Sequence, residues 1–327
     1  MHRRILLALL VAGLLAPTAA SAQGPAAGAP APGKAPARRP VLGIADQKPG
    51  FLVDPRFLGL GVRQARLNLP WDVLDDETTL PSMDLWMARA RAAGVRPLIT
   101  IDRSRRRGRA SVNPDAGQLA IQVVRWRQRW PGQVTHLSTW NEGNLNKRPE
   151  LVARWWRGIR TVCPGCTVLG ADLVDRPNAV SWTRRFIKAA RRVPKGWGLH
   201  SYNDANTFST RRTREFLAGT QGAVWLTETG GVVNRTRPRY PFRGCGTDHA
   251  ARATEFLLAR IAPLSPRIER VYLYHWDGGE PGLTWDSGLI GADGLERPAM
   301  AVVRRWLALP PSAELPSAPF GACRTGR

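Results

Sequence analysis

Two glutamates stand where acid–base and nucleophilic chemistry on a sugar linkage would need them. Each closes a β-rich segment: Glu142 ends the run LSTWNE, and Glu228 ends the run WLTE. Cleavage of a glycosidic bond requires one carboxylic acid to protonate the leaving oxygen and a second carboxylate to attack or to activate water. Carboxyl groups about 5 to 5.5 Å apart give retention of configuration, whereas about 6.5 to 9.5 Å gives inversion. The sequence predicts that Glu142 and Glu228 form such a pair.

Other polar and aromatic residues also end β-rich segments, namely Arg66, His200, Tyr202 and Trp276. An arginine beside a carboxylate keeps it ionised and fit to attack, while a less compensated carboxyl stays protonated as an acid. Aromatic faces suit the C–H faces of sugars. A structural interpretation of each residue remains open. In that interpretation the two glutamates form a buried pair, Arg66 only neutralises a neighbouring acid, and His200 and Trp276 are core residues.

The elements that must position these residues alternate between short β-rich runs and amphipathic helical stretches from Pro40 onward, which predicts a parallel sheet with crossover helices. The candidate strands are residues 41–45, 61–68, 95–101, 134–140, 167–171, 198–202, 224–227 and 271–275. The predicted helices are residues 84–93, 115–130, 149–162, 178–192, 210–218, 248–261 and 298–307, and the first crossover, 51–60, is too short for a regular helix. Eight strands suit a (β/α)8 TIM barrel of a single domain, residues 41–308. A doubly wound open sheet is the rival, but no glycine-rich phosphate loop follows the first strand.

The carboxyl ends of barrel strands meet at one face, so glutamates closing strands four and seven would oppose each other across the mouth. Trp140-Asn141-Glu142 after strand four, with Leu226-Thr227-Glu228-Thr229 closing strand seven, resembles clan A of the glycoside hydrolases over residues 41–307. Glycine follows Glu142 where many clan members have proline, and the end of strand three lacks a histidine found in some families. The resemblance therefore reaches the clan and not a family.

The resemblance implies a retaining, double-displacement mechanism. Glu142 would be the acid/base, Glu228 the nucleophile that forms a covalent glycosyl-enzyme, and Asn141 the partner of the sugar 2-hydroxyl. Arg66 and Tyr202 resemble the residues that hold the nucleophile ionised and oriented. His200 resembles the strand-six histidine of the same subsite, and Trp276 the strand-eight tryptophan that stacks on the sugar ring.

The N-terminal segment has the layout of a secretory signal peptide over residues 1–22, with a basic start, an apolar run and small residues before Gln23. Its apolar run is shorter than the ~20 residues of a membrane span. Residues 23–40 resemble an Ala/Pro linker, and residues 309–327 form a tail. We therefore expect a secreted, extracellular protein without a membrane partner.

Four cysteines in an exported chain favour disulfides over thiolate metal sites. The pair Cys163 and Cys166 predicts a local structural disulfide, with a redox motif or half of a zinc site as the alternatives. Cys245 would then pair with Cys323 and tie the tail to the barrel. No metal and no cofactor are expected.

The net charge of +23 comes almost entirely from arginine, and it raises nucleic acid, anionic lipid or an acidic polymer as partners. The arginines are spread along most helices, which favours a compositional bias over a nucleic-acid partner. The exception is the cluster from Arg103 to Arg109 after strand three. It is either a solvated loop or a site for the carboxylate, sulfate or phosphate groups of an anionic glycan.

Three functions therefore stay in competition. The first is a retaining β-glycosidase, monomeric by default, acting on an extracellular or cell-wall polysaccharide or oligosaccharide. The second is a non-catalytic glycan-binding barrel. The third is an extracellular binder of nucleic acid or another anionic polymer, for which steep salt dependence without glycan preference would speak.

Overall fold

A parallel sheet of nine strands organises the chain in the computed structural model, which describes residues 39–235, 244–278 and 284–310. Its strands are β1 Val41–Ala45, β2 Gln64–Pro70, β3 Arg96–Asp102, β4 His136–Ser138, β5 Thr167–Leu169, β6 Asp172–Val174, β7 Gly196–His200, β8 Ala223–Thr229 and β10 Ile268–Tyr274. Neighbouring strands follow the order β5-β4-β3-β2-β1-β10-β8-β7-β6. Two further short strands, β9 Asn234–Arg235 and β11 Trp285–Asp286, pair antiparallel outside this sheet.

The strands β5 and β6 are two halves of one barrel strand, separated by Gly170 and Ala171. The strand β5 pairs with β4, and β6 pairs with β7. At the break the Gly170 N–H donates to the Gly196 carbonyl at 3.0 Å, so pairing crosses from one neighbour to the other. A Cβ on Gly170 would collide with the Trp197 ring, which is why glycine stands here. The sheet therefore almost closes, and the predicted (β/α)8 barrel is confirmed. In this barrel β5 and β6 together are strand five, and β7, β8 and β10 are strands six, seven and eight.

Helices connect the strands close to the predicted positions. They are α1 Pro55–Gly59, α2 Leu80–Ala92, α3 Ala116–Arg129, α4 Gly143–Asn146, α5 Pro149–Val162, α6 Ala179–Ala190, α7 Tyr202–Asn206, α8 Arg211–Gly219, α9 Thr247–Phe256 and α10 Pro298–Trp306. The helix α3 begins with a capping box, in which the Asp115 carboxylate accepts from the Gln118 N–H at 2.7 Å. The first crossover holds only a 3₁₀ turn and the five-residue α1, as its length predicted.

Large aromatic side chains fill the space between sheet and helices. Trp86, Trp126, Trp155, Trp156 and Trp197 are all fully or almost fully buried. Inside the barrel a separate apolar layer closes the floor beneath the strand ends: it consists of Ala45, Leu98, Leu169, Trp225 and Tyr272. Above this floor the barrel interior becomes polar, which places the chemistry at the carboxyl ends of the strands.

A disulfide joins Cys163 and Cys166, whose Cα atoms are 5.4 Å apart, as predicted. Cys245 is disulfide-bonded, but Cys323 lies outside the described residues, so their pairing stays a prediction. The expected signal peptide, almost all of the linker and nearly all of the tail also lie outside them. Among the helices that the structure describes, none is long and apolar enough to cross a membrane.

Candidate active site

Arg66 lies at the centre of the polar layer. It projects from β2 into the barrel and is fully buried. Its guanidinium donates to Glu228 Oε2 at 2.7 Å and to Asp172 Oδ2 at 2.8 Å. The same group donates to Asn141 Oδ1 at 2.9 Å. One buried cation therefore ties together side chains from strands two, four, five and seven, and the charges of Asp172 and Glu228 outweigh burial and raise the pKa of Arg66.

Asp172 is a site residue that the sequence analysis missed. It opens β6, is fully buried, and accepts hydrogen bonds from Ser138 Oγ at 2.6 Å and Thr100 Oγ1 at 2.8 Å. Burial would raise the pKa of its carboxyl, but the Arg66 charge and hydrogen bonding bring it well below its ordinary value. A Cβ on the neighbouring Gly198 would occupy the position of the Asp172 carboxylate, so this glycine makes room for the charge.

Glu228 lies near the end of β8 with its side chain 14% exposed, so it is reachable from the mouth. One carboxylate oxygen accepts from Arg66, and the other accepts from the Tyr202 hydroxyl at 3.3 Å. This is the setting expected for a nucleophile: the arginine supplies a countercharge, and the two donors on different oxygens define the orientation of the carboxylate.

Glu142 faces the same space from the end of strand four, with its side chain 29% exposed. Its backbone has a φ of 50°, in the left-handed region that non-glycine residues rarely adopt. Its Oε1 lies 3.2 Å from His200 Nδ1, and His200 Nε2 lies 4.0 Å from Glu228 Oε2. The fully buried imidazole therefore stands between the two glutamates.

The His200 ring carries positive charge over a wide pH range. Burial alone would lower its pKa, but the charge of Glu228 and hydrogen bonds to Asp172 and Glu142 raise the pKa of His200 to about 9. Burial would raise the pKa of Glu142, yet the hydrogen bond and charge of His200 bring it below its ordinary value. The two opposite pKa shifts favour a proton on His200 over one on Glu142, whereas the sequence analysis assigned the proton to Glu142.

Six of the seven predicted site residues come together in this network; Trp276 does not. Its ring is fully buried between Phe51 and Phe57, with centroid distances of 6.5 and 5.6 Å. The chain turns toward β1 after β10, because the Trp276 N–H donates to Asp46 Oδ2 at 2.9 Å. A ring packed in this way offers no face to a sugar, which corrects the stacking expectation for Trp276.

Two other aromatic residues border Glu228 instead. Trp285 packs edge-on against Tyr202 with ring centroids 4.7 Å apart, and Tyr274 packs against the same cluster. Both are partly exposed. Burial and the negative charge of Glu228 raise the pKa of Tyr274. Tyr274 ends strand eight, and the sequence analysis assigned the stacking role to Trp276, two residues further on.

No metal centre accompanies these residues: across residues 39–235, 244–278 and 284–310, no three His, Cys, Asp or Glu side chains are placed to hold a metal ion.

The sequence matches no protein-family model and no curated protein, whereas solved structures share the fold. A fungal β-1,4-galactanase superposes with a TM-score of 0.61 and 15% identity over 82% of this chain and 100% of its own. GH5_18 from Streptomyces cattleya, solved with Manβ1-4GlcNAc, gives a TM-score of 0.58 and 14% identity over 83% and 82%.

A family 39 glycoside hydrolase from Bacteroides cellulosilyticus gives a TM-score of 0.54 and 17% identity over 83% of this chain. The match spans 64% of that protein, a little under two thirds of its length. At such identities the likeness shows the fold. The chain thus shares the (β/α)8-barrel fold of these glycoside hydrolases, and no family is resolved.

Proposed function

We propose that this protein is a retaining glycoside hydrolase that cleaves β-glycosidic bonds by double displacement. The observation that carries the proposal is the arrangement around Glu228: a buried arginine at 2.7 Å and a tyrosine hydroxyl at 3.3 Å hold a partly exposed carboxylate. Such a group is paired with a cation, oriented and accessible, as attack on an anomeric carbon requires. The fold shared with several glycosidases supports the same conclusion.

Glu142 acts as the acid/base in this mechanism, with His200 as its proton store. When a sugar displaces water from the mouth, desolvation favours the neutral carboxyl, and the His200 proton moves to Glu142. Glu142 then protonates the leaving oxygen while Glu228 attacks the anomeric carbon. In the second step Glu142 takes a proton from water, the glycosyl-enzyme ester is hydrolysed, and the proton returns to His200. Asn141, held by Arg66, is positioned to bond the sugar 2-hydroxyl.

The place of action also belongs to the proposal: we propose export through the N-terminal signal peptide and action on an extracellular or cell-wall glycan. The rival function is a glycan-binding barrel without turnover, which the left-handed backbone at Glu142 argues against. Strained backbone concentrates where a reactive side chain must be held in one orientation.

Hydrolysis of a panel of β-linked aryl glycosides and oligosaccharides tests the proposal. Glu228→Gln should lose at least about 10³-fold in kcat, because no covalent intermediate forms. Glu142→Gln should lose activity on poor leaving groups and keep much of it on activated aryl glycosides. Glu255→Gln on the outer face of α9, matched in chemistry, should behave like the wild type.

The stereochemistry of the first product decides the mechanism. NMR of the fresh hydrolysate should show the β-anomer before mutarotation. The α-anomer would replace retention by inversion, and binding of the panel with no hydrolysis at all would establish the non-catalytic function.

A further inference from the structure

Two loops at the mouth of the barrel form one continuous rim. One follows β2 and begins with Trp71 and Asp72, and the other follows β3 and holds the arginines from Arg103 to Arg109. The Trp71 N–H donates to the Asp102 carbonyl at 2.9 Å, which joins the two loops where they leave the sheet. The strands beneath carry Arg66 and Thr100 of the site. The rim therefore borders the proposed cleft.

Asp72 organises the arginines on this rim. Its carboxylate is 1% exposed, and Oδ2 accepts from the Ser104 hydroxyl at 2.8 Å. The same oxygen lies 3.5 Å from Arg109 Nε and 3.9 Å from Arg106 Nη1. Both arginine side chains are 40% exposed. One buried negative charge thus holds two guanidinium groups at the surface, and Asp76 on the same loop adds a second negative charge that acts on Arg106.

Two further features of this rim are not expected if the arginines only form a solvated loop. The Arg109 guanidinium lies over the Trp71 ring, 5.9 Å from its centroid. Trp71 Nε1 and Asp72 Oδ1 are buried and have no hydrogen-bond partner among the residues that the structure describes. Buried polar atoms usually find partners, so each unpaired one calls for an explanation.

Further cationic side chains lie on the same rim. Arg103 and Arg105 are exposed. Burial raises the pKa of Asp102, the acid at the root of the loop, so this residue offsets the arginines weakly. Lys147, which follows Glu142 by five residues, donates to Asn113 of the same loop and lies 4.9 Å from the Trp140 ring centroid. The rim is cationic from strand two to strand four.

We propose that Arg106 and Arg109, held by Asp72, form a subsite for a carboxylate or sulfate group on the glycan. The substrate class is then an anionic, uronate-bearing or sulfated, polysaccharide. Guanidinium groups recognise such oxyanions through paired N–H donors. The inference rests on the proposed glycosidase function, because it assigns the rim to the cleft of that enzyme.

The test compares a β-linked oligouronate with its carboxyl-reduced, neutral counterpart on the same full-length protein. The ratio of kcat/KM for the anionic over the neutral form should fall about tenfold in Arg106→Gln. Arg106→Lys should recover part of the ratio, since charge remains but the paired donors are lost. Arg154→Gln on the exposed face of α5 removes the same charge elsewhere and should leave the ratio unchanged. The wild-type ratio should also fall as salt is raised.

Affinity for the two oligosaccharides separates this inference from the proposed function. If neither is hydrolysed but the anionic form binds more tightly and Arg106→Gln removes the difference, the subsite stands and the glycosidase proposal fails. Equal rates and equal affinities for the two forms overturn the subsite. An equal loss of preference in Arg106→Gln and Arg154→Gln also overturns it, because general charge attraction then explains the binding.

Discussion

Replacing Arg66 by methionine should destabilise the barrel in a strongly pH-dependent way. The side chain is fully buried and supplies the cation for Asp172, which is equally buried, and for the partly exposed Glu228. Methionine fills similar space without charge, so the apolar packing changes little. Asp172 then remains in the barrel interior with hydroxyl donors from Ser138 and Thr100 and with the His200 imidazole, whose Nε2 lies 3.6 Å from Asp172 Oδ2.

The expected loss in the free energy of unfolding is that of removing one partner of a buried ion pair. Removing one partner of a buried ion pair costs about 3 to 5 kcal/mol, and the remaining His200 charge places the expected loss toward the lower end of that range. For a domain of this size that corresponds to a fall of about 10 °C in the melting temperature. Arg185→Met breaks the exposed pair with Glu150, whose side chains are 61% and 32% exposed, and should change stability by less than about 1 kcal/mol.

The sign of the pH dependence gives the sharper test. In the wild type the folded-state pKa of Asp172 is depressed, so its stabilising contribution is present above its ordinary value and is lost as pH falls through the folded value. In Arg66→Met, burial without the arginine raises the pKa of Asp172. The loss of folding stability then grows with pH above the ordinary pKa of an aspartate, because the unfolded chain ionises this carboxyl and the folded protein resists its ionisation. The difference in stability between variant and wild type should therefore be larger at pH 7 than at pH 4, where Asp172 of the variant is protonated while the wild type still keeps its ion pair. Denaturant unfolding at both pH values measures it, and a difference independent of pH would refute the reasoning.

Four further outcomes are expected. The imidazole of His200 should titrate near its raised pKa of about 9, its stabilising contribution being complete below about 6.5 and lost as pH rises through 9; in Glu142→Gln, NMR should show a lower pKa. Tyr202→Phe should reduce kcat about tenfold and leave the melting temperature almost unchanged, since its hydrogen bond to Glu228 is long; an unchanged kcat would contradict the proposed role of Tyr202 in orienting Glu228. Replacing both Cys163 and Cys166 by alanine should cost about 2 kcal/mol in the free energy of unfolding, because the closed loop is short, and a loss twice as large in calorimetry would contradict the loop-closure account. Glu142→Gly should be inactive yet melt above Glu142→Gln, because glycine adopts a φ of 50° without strain.

The barrel could be predicted because its signals are local. Strand runs, helix caps and proline–glycine boundaries repeat in a regular order, and the predicted helix 149–162 has the same limits as α5. Strand four is shorter than predicted, His136–Ser138, because beyond it the chain leaves the regular ladder and makes single bonds such as Asn141 N–H to the Ile101 carbonyl at 2.8 Å.

The site could be predicted only where a residue ends a recognisable strand. Glu142, Glu228 and Arg66 carry that signal. Asp172 directly follows the predicted strand 167–171, but the strand resumes there after a break at Gly170 and Ala171, and this break, which turns Asp172 into the barrel, has no signal in the sequence. The position of Trp276 depends on how the chain turns after strand eight, and its partner Asp46 is 230 residues away in sequence. Proton placement between Glu142 and His200 likewise depends on burial and distance, which strand patterns do not contain.

Gly198 sets a limit on how this cleft can be rebuilt in the laboratory or by evolution. Its missing side chain is the volume in which the Asp172 carboxylate lies, so even an alanine there would push against Asp172 Oδ1 and Thr227 Oγ1. Grafting the two glutamates and the arginine onto another barrel would therefore fail to transfer the electrostatics of the site unless the host had an empty position on strand six. The transferable unit includes a void as well as a set of functional groups.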